Sequence, residues 1–347
     1  MKGFRIGNIE IGKAKTPLII PEIGINHGGD INVAKEMVFA AYKAGAQIVK
    51  HQTHVCDDEM TYEARYVIPG NSTQSIYDIM KSCALSYEEE KELKLYTENL
   101  GMTFLSTPFS RAAADRLEML GVEAYKIGSG EMNNYPLLEY VASFGKPMIV
   151  STGMNSIATI KKTVDILIKK NIPFALLHTT NLYPTLPSQV RLGAMQQMMN
   201  AFKEVPIGLS DHSLNNNACI AAMTLGATVI ERHFTDSKKR TGPDIACSMD
   251  PTDLAEIILA SKEIPQMLDG EKKPLPEEKI TMDFAFASVV SISSITKGDR
   301  FTPENIWVKR PGLGIPAEQY SSILGKIAAC DIDMDKLLKP EMIMDYE

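Results

Sequence analysis

Eight short apolar runs, each breaking into polar residues and then into a helical pattern, recur in order along the chain. They are Pro17–Gly24, Gln47–Thr53, Thr103–Pro108, Ala124–Gly130, Pro147–Gly153, Phe174–Thr180, Pro206–Asp211 and Thr228–Thr235. The runs are continuous rather than alternating, which suits parallel strands buried on both faces. The stretches between them, such as Asn32–Ala44, Tyr87–Leu100, Arg111–Leu120 and Ser156–Lys169, carry apolar residues at helical spacing. Eight strand–helix units in sequence predict an α/β fold, a (β/α)₈ TIM barrel. A doubly wound open sheet is the competing arrangement. The count of eight, with polar clusters at nearly every strand end, favours the barrel. Ahead of it, Phe4 and Ile6, then Gly7-Asn8, then Ile9 and Ile11, predict a hairpin with a two-residue turn.

The rhythm stops after about Gly270. Residues 271–283 open on a charged, proline-containing stretch, Glu271–Lys279, and read as a linker. Beyond it, Phe286–Ile292 and Ile306–Lys309 read as short strands, Lys297-Gly298-Asp299 as a turn and Pro316–Leu324 as a short helix. The expected organisation is therefore a barrel domain with its hairpin over 1–270, a linker over 271–283 and a small mixed domain over 284–347.

Composition narrows the function. The 347 residues carry a formal charge of −7 and no long basic run, which argues against nucleic acid as a partner. An anionic small substrate stays open, because a pocket can be locally cationic on an acidic protein. No apolar run approaches the length of a bilayer span, and the N-terminus lacks the apolar core of a signal peptide. A cytoplasmic protein without a membrane partner is expected. The five cysteines are scattered and form no C-x-x-C pair, so neither a disulfide framework nor a structural zinc site is expected.

In a TIM barrel the active site lies at the C-terminal ends of the strands. Those ends carry Glu22; Lys50 and Gln52; Ser106 and Thr107; Lys126, Ser129 and Glu131; Ser151 and Thr152; His178, Thr180 and Asn181; Ser210, Asp211 and His212; Glu231 and His233. His212 and His233 end consecutive last strands, about 4.8 Å apart in a sheet, so two imidazoles there could share one divalent ion. The competing reading is one core and one surface histidine. His27, His51, His54 and His178 read as hydrogen-bonding or packing residues. Lys50 and Lys126 suit either a Schiff-base nucleophile or an anion clamp. The neighbouring hydroxyls favour the clamp, while a snorkelling or ion-paired lysine is the structural alternative. Glu131 follows Gly128-Ser129-Gly130, where backbone amides could approach an anion and the carboxylate could act as a general base on water. Glu22 could orient a substrate hydroxyl, or either carboxylate could simply pair with a lysine.

At these residues the chain resembles the bacterial N-acetylneuraminate (sialic acid) synthase family. The matching segments are Glu22–His27, Lys50–His54, Ile68–Asn71, Ser106–Arg111, Tyr125–Glu131, Asn133–Pro136, Ser151–Asn155, Thr180–Pro184, Gly208–His212, Glu231–Thr235 and Thr241–Ile245. Asp283–Val289 and Trp307–Gly314 resemble the family's C-terminal antifreeze-like (SAF) domain, of β-clip type. One departure is Met132, where cysteine is more often found.

The resemblance implies a metal-dependent condensation of phosphoenolpyruvate with N-acetylmannosamine. Lys50, Thr107, Lys126, Ser129, Ser151, Asn181 and Ser210 would bind phosphoenolpyruvate. Gln52, Tyr183, Asp244, Phe284 and Arg310 would line the sugar site, with Glu22, Lys50, Lys126 and Glu131 catalytic. His212 and His233 would hold the divalent ion, Mn²⁺ or Mg²⁺, with Co²⁺ as a third candidate. Arg310 would come from the partner of a domain-swapped homodimer, whose C-terminal domain covers the other subunit's barrel mouth. Legionaminic and pseudaminic acid synthesis are the alternatives within the family.

Overall fold

The computed structural model of the protein describes residues 3–12, 15–70 and 72–346. Asn71, the last residue of the Ile68–Asn71 segment, lies outside them. The chain forms two compact units, Met1–Asp269 and Gly270–Glu347.

The first unit opens with the expected hairpin. Strands β1 (Phe4–Ile6) and β2 (Ile9–Ile11) pair antiparallel, Phe4 opposite Ile11 and Ile6 opposite Ile9. Gly7 takes the left-handed conformation that this tight turn demands, with φ of 54°. Then come β3 (Leu18–Gly24), β4 (Ile48–Thr53), β5 (Thr103–Pro108), β6 (Tyr125–Ile127), β7 (Met148–Ser151), β8 (Phe174–Thr179), β9 (Ile207–Asp211) and β10 (Val229–His233). They close into one parallel barrel in sequence order, β10 pairing back onto β3. This is the TIM barrel, and the open sheet is excluded. The helices follow the amphipathic stretches closely, for example Ile31–Lys43, Tyr87–Asn99, Arg111–Leu120 and Ile157–Lys169. Asp30, Ser86, Ser110 and Ser156 cap their first turns through side-chain oxygens.

Strand parity explains where the core ends and the site begins. Side chains alternate across a strand, so every second residue faces the barrel axis. The axial positions near the strand starts are apolar: Leu18, Ile20, Ile48, Leu105, Ala124, Ile149, Ala175, Leu177 and Val229 form one buried cluster. Ile6 and Ile11 of the hairpin join that cluster, so the hairpin plugs the barrel's N-terminal end. Two residues further along the same axial positions, the chemistry changes. Ile20 gives way to Glu22, Ile48 to Lys50, Leu105 to Thr107, Ala124 to Lys126, Ile149 to Ser151 and Val229 to Glu231. The opposite parity, including Ile19, Ile23, Val49, Phe104 and Ile127, packs the larger core between barrel and helices. Met132 is fully buried in that outer core, away from the axis.

Two spans differ from the sequence reading. Strand β6 stops at Ile127 rather than running on to Gly130, because the chain turns through Gly128-Ser129-Gly130 and folds the Glu131 carboxylate back over Gly128. The stretch read as linker is partly helical. A helix over Lys279–Ala285 straddles the 283/284 boundary, with Lys279 and Asp283 ion-paired one turn apart. In the second unit β11 (Ser288–Ser291) and β12 (Ile306–Lys309) form an antiparallel pair. Val289, Ile295, Phe301, Ile306, Ile315 and Ile323 contribute to a separate small core. No helix among the described residues is long and apolar enough to cross a membrane.

Candidate active site

The polar axial residues surround a cavity of about 210 Å³ at the C-terminal end of the barrel. Of the residues singled out from the sequence, Glu22, Lys50, Gln52, Thr107, Lys126, Ser129, Glu131, Ser151, Asn181, Tyr183, Ser210, His212 and His233 all line it. Asp244 stands behind His233, its carboxylate 3.8 Å from Nδ1. Phe284 and Arg310 belong to the second unit, where both are exposed. His178 faces away and bonds the Val190 carbonyl through Nε2. His51 likewise points outward, toward the buried carboxylate of Glu90.

The two lysines share one buried acidic neighbour that the sequence reading placed at a strand end but gave no role. Glu231 Oε1 lies 3.5 Å from Lys126 Nζ and 4.0 Å from Lys50 Nζ, and accepts from Ser210 Oγ at 3.1 Å. Its other oxygen is buried without a hydrogen-bond partner. A carboxylate in a buried run is costly to bury alone, and that was the available signal. Lys50 also pairs with Glu22 and lies 3.4 Å from Thr107 Oγ1, and Lys126 donates to Ser151 Oγ at 2.7 Å. Burial pushes the Lys126 ammonium below its ordinary range, helped by Lys50 and opposed by Glu231. Burial also acts to raise Glu22, but Lys50, His233 and Lys126 together hold its carboxyl well below the usual range. Two lysines and two carboxylates thus share one buried pocket.

The loops beyond β6 and β7 form a rigid rim beside the lysines. The Gly153 N–H donates to Ser129 Oγ at 3.0 Å, which leaves the Ser129 hydroxyl proton free to point elsewhere. Asn155 Nδ2 straps the two loops together, donating to the carbonyls of Ser129 at 3.1 Å and Gly153 at 2.7 Å. Asn181 Oδ1 is buried there without a partner. Gly153 has no room for a side chain: a Cβ would lie 1.7 Å from Asn181 Oδ1 and 2.9 Å from Ser129 Oγ.

Across the cavity, His212 and His233 stand with ring centroids 5.4 Å apart. His212 Nδ1 donates to the Thr180 carbonyl at 2.8 Å, which puts the lone pair on Nε2. Burial, with His233 adding to it, pushes the His212 imidazolium down to about 3, so the ring is neutral. His233 Nδ1 is buried with no hydrogen-bond partner, and its Nε2 is 3.8 Å from Glu22. Among the described residues no three His, Cys, Asp or Glu side chains are already gathered as a ligand set. A neutral imidazole, an orphaned imidazole nitrogen and flanking carboxylates are nonetheless a donor set that suits a divalent ion. Tyr183 packs on His212 at 4.2 Å, and burial, with Asp244 and Glu22 near it, raises its phenol above the ordinary range.

Comparison with known proteins finds matches over most of the chain. The NeuB family model matches residues 37–273 and the SAF domain model residues 286–344. The N,N'-diacetyllegionaminic acid synthase of Campylobacter jejuni is 36% identical, over 94% of this chain and 99% of that protein. The human N-acetylneuraminate-9-phosphate synthase is 31% identical, over 97% of this chain and 95% of its own. Among solved structures, the N-acetylneuraminic acid synthetase of Leptospira borgpetersenii, in complex with citrate, is 31% identical with a TM-score of 0.73, over 81% of this chain and 95% of that one.

Proposed function

The chain belongs to the NeuB family, and from that premise we propose that it condenses phosphoenolpyruvate with the open-chain aldehyde of an N-acylated hexosamine. Water is consumed, and a nine-carbon acidic sugar and phosphate are released. The observation that carries the reading is the cavity itself. Two lysines and a set of hydroxyls face an edge of two imidazoles, within a volume of about 210 Å³ that fits small polar reactants. N-acetylmannosamine is the acceptor implied by the Lys50–His54 segment. A 2,4-diacetamido-trideoxy hexose is the second reading, favoured by the similarity to the Campylobacter legionaminic acid synthase.

In this reading carbon 3 of phosphoenolpyruvate attacks the aldehyde carbon and forms the new C–C bond. Lys50 and Lys126 neutralise the donor's anionic groups, displacing their contacts with Glu22 and Glu231. Thr107, Ser129, Ser151, Asn181 and Ser210 fix its orientation. Water adds at carbon 2, with Glu131 accepting its proton, and phosphate leaves by C–O cleavage. Synthases of this family are generally metal-dependent, and His212 and His233 are the residues that would hold the ion. Such an ion supplies Lewis-acid polarisation of the sugar's carbonyl oxygen. A Schiff-base aldolase is disfavoured because each lysine is tied down by neighbouring side chains, Lys50 by Glu22 and Lys126 by Ser151 and Glu231, in a setting of hydroxyls that suits an anion clamp.

The deciding experiment is phosphate release from phosphoenolpyruvate in the presence of each sugar in turn. Turnover with N-acetylmannosamine alone selects the first acceptor, turnover with the diacetamido sugar alone selects the second, and none with either defeats the reading. Chelation by EDTA is expected to abolish turnover and added Mn²⁺, Mg²⁺ or Co²⁺ to restore it. Retained activity after exhaustive chelation would rule out His212 and His233 as holders of an essential ion. Borohydride is expected to trap no adduct on Lys50 or Lys126.

Gly153→Ala is expected to raise the KM for phosphoenolpyruvate on the order of 100-fold with little change for the sugar. The new methyl group can be accommodated only by moving Asn181 or Ser129. A KM within twofold of wild type would show that the rim has slack the close contacts do not suggest.

A further inference from the structure

A line of polar side chains runs from the helix Cys56–Glu59 into the cavity. His54 is buried, with Nδ1 2.8 Å from Glu59 Oε2 and Nε2 3.1 Å from Gln52 Oε1. Gln52 Nε2 donates to Glu22 Oε1 at 2.7 Å, and Glu22 also accepts from Lys50. Phe109 stacks flat on the His54 ring, centroids 4.4 Å apart and planes 13° from parallel. Gln52 and Phe109 line the cavity, so the line ends where a substrate would stand.

The hydrogen atoms along this line can be assigned from the inside outward. Glu22 is an anion against Lys50 and only accepts. Gln52 must therefore turn its NH₂ toward Glu22, which leaves its carbonyl oxygen facing His54. An amide oxygen also only accepts, so His54 Nε2 carries a proton. The Glu59 carboxylate accepts in turn from Nδ1. Both ring nitrogens thus face acceptor oxygens, a carboxylate on one side and an amide oxygen on the other.

We propose that His54 is a positioning residue for the acceptor sugar: as an imidazolium anchored by Glu59, it locks Gln52 with the second N–H of its amide presented to a sugar oxygen. A neutral His54 with its proton on Nδ1 would face the Gln52 carbonyl with a lone pair. The amide would then flip, setting its oxygen against the Glu22 carboxylate and its nitrogen toward the histidine. The cavity would lose a donor, and selection for an oxygen-bearing acceptor would go with it. This rests on the synthase reading and deepens it, giving the acceptor end a specificity element distinct from the lysine cradle.

The test uses full-length protein labelled with ¹⁵N-histidine, together with steady-state kinetics. At neutral pH, without substrates, both ring nitrogens of His54 are expected to carry protons, the signals being identified by their loss in His54→Phe. That variant keeps the stacking on Phe109 and removes both hydrogen bonds. It is expected to raise the KM for the N-acylated hexosamine about tenfold while leaving that for phosphoenolpyruvate within about twofold. Glu59→Gln, nearly isosteric and neutral, guards against a misfolded first variant. It is expected to strip one proton from His54 and to raise the sugar KM in the same direction. A single ring proton in the wild type overturns the proposal, as does a loss shared equally by both substrates. If no sugar supports phosphate release, the synthase reading falls, while the proton count still decides how His54 holds Gln52.

Discussion

Glu131→Gln is expected to lower kcat by roughly 10²–10⁴-fold and to leave the KM for phosphoenolpyruvate close to wild type. The same substitution should flatten the acid limb of the pH profile. Glu131 leaves β6 through a glycine turn that presses its carboxylate over Gly128, half-buried on the cavity wall. Burial pushes its carboxyl up to about 7; its own backbone N–H opposes that, the nearby Glu59 adds to it, and Lys126 and His54 oppose it. A base must be deprotonated to act, so wild-type kcat/KM should rise as pH increases through that value and level off above it. Glutamine keeps the shape and cannot take a proton. A variant that retains the rising limb would assign the titration to another group and remove Glu131 as the base.

The second large effect concerns the barrel rather than the chemistry. Gly208 faces the axis on β9, two residues before Ser210 and four before His212. A Cβ there would sit 2.1 Å from the Val229 carbonyl oxygen and 2.8 Å from Leu177 Cδ2. The first of these is backbone in the neighbouring strand and cannot swing aside as a side-chain tip can. Gly208→Ala is therefore expected to cost about 3 kcal/mol or more in chemical denaturation, at the upper end for overpacked cores. Gly193, in the helix Leu192–Ala201, provides the contrast. Nothing lies within 4 Å of a Cβ built there, and alanine is expected to be neutral or to stabilise by up to about 1 kcal/mol. Equal stability for the two variants would mean that β9 and β10 can separate at low cost.

Much of this was legible in the sequence because a parallel barrel writes itself as buried runs at regular intervals. The eight runs, the hairpin and the major helices sit where periodicity put them. The strand ends named the lysines, the hydroxyls and the histidine pair, because a polar cluster directly after a buried run is rarely plain surface when it recurs eight times. What periodicity could not carry was distance. Glu231 stood at a strand end like its neighbours, and only closure of β10 onto β3 and β9 brought it between the two lysines. Direct pairing of β3 with β4 set Glu22 beside Lys50, which fixes how the Gln52 amide is turned. Gly153 could not be singled out, since its importance lies in how near Asn181 comes to it. Phe284 and Arg310 belong to the second unit, where strand-end reasoning has no purchase.

The hairpin stopper has a consequence for traffic. With Ile6 and Ile11 seated against the apolar floor, the well is blind at one end. Whatever binds in the well therefore comes and goes at the C-terminal ends of the strands. The side of access is thereby set by three residues on each strand of a hairpin, none of which lines the cavity.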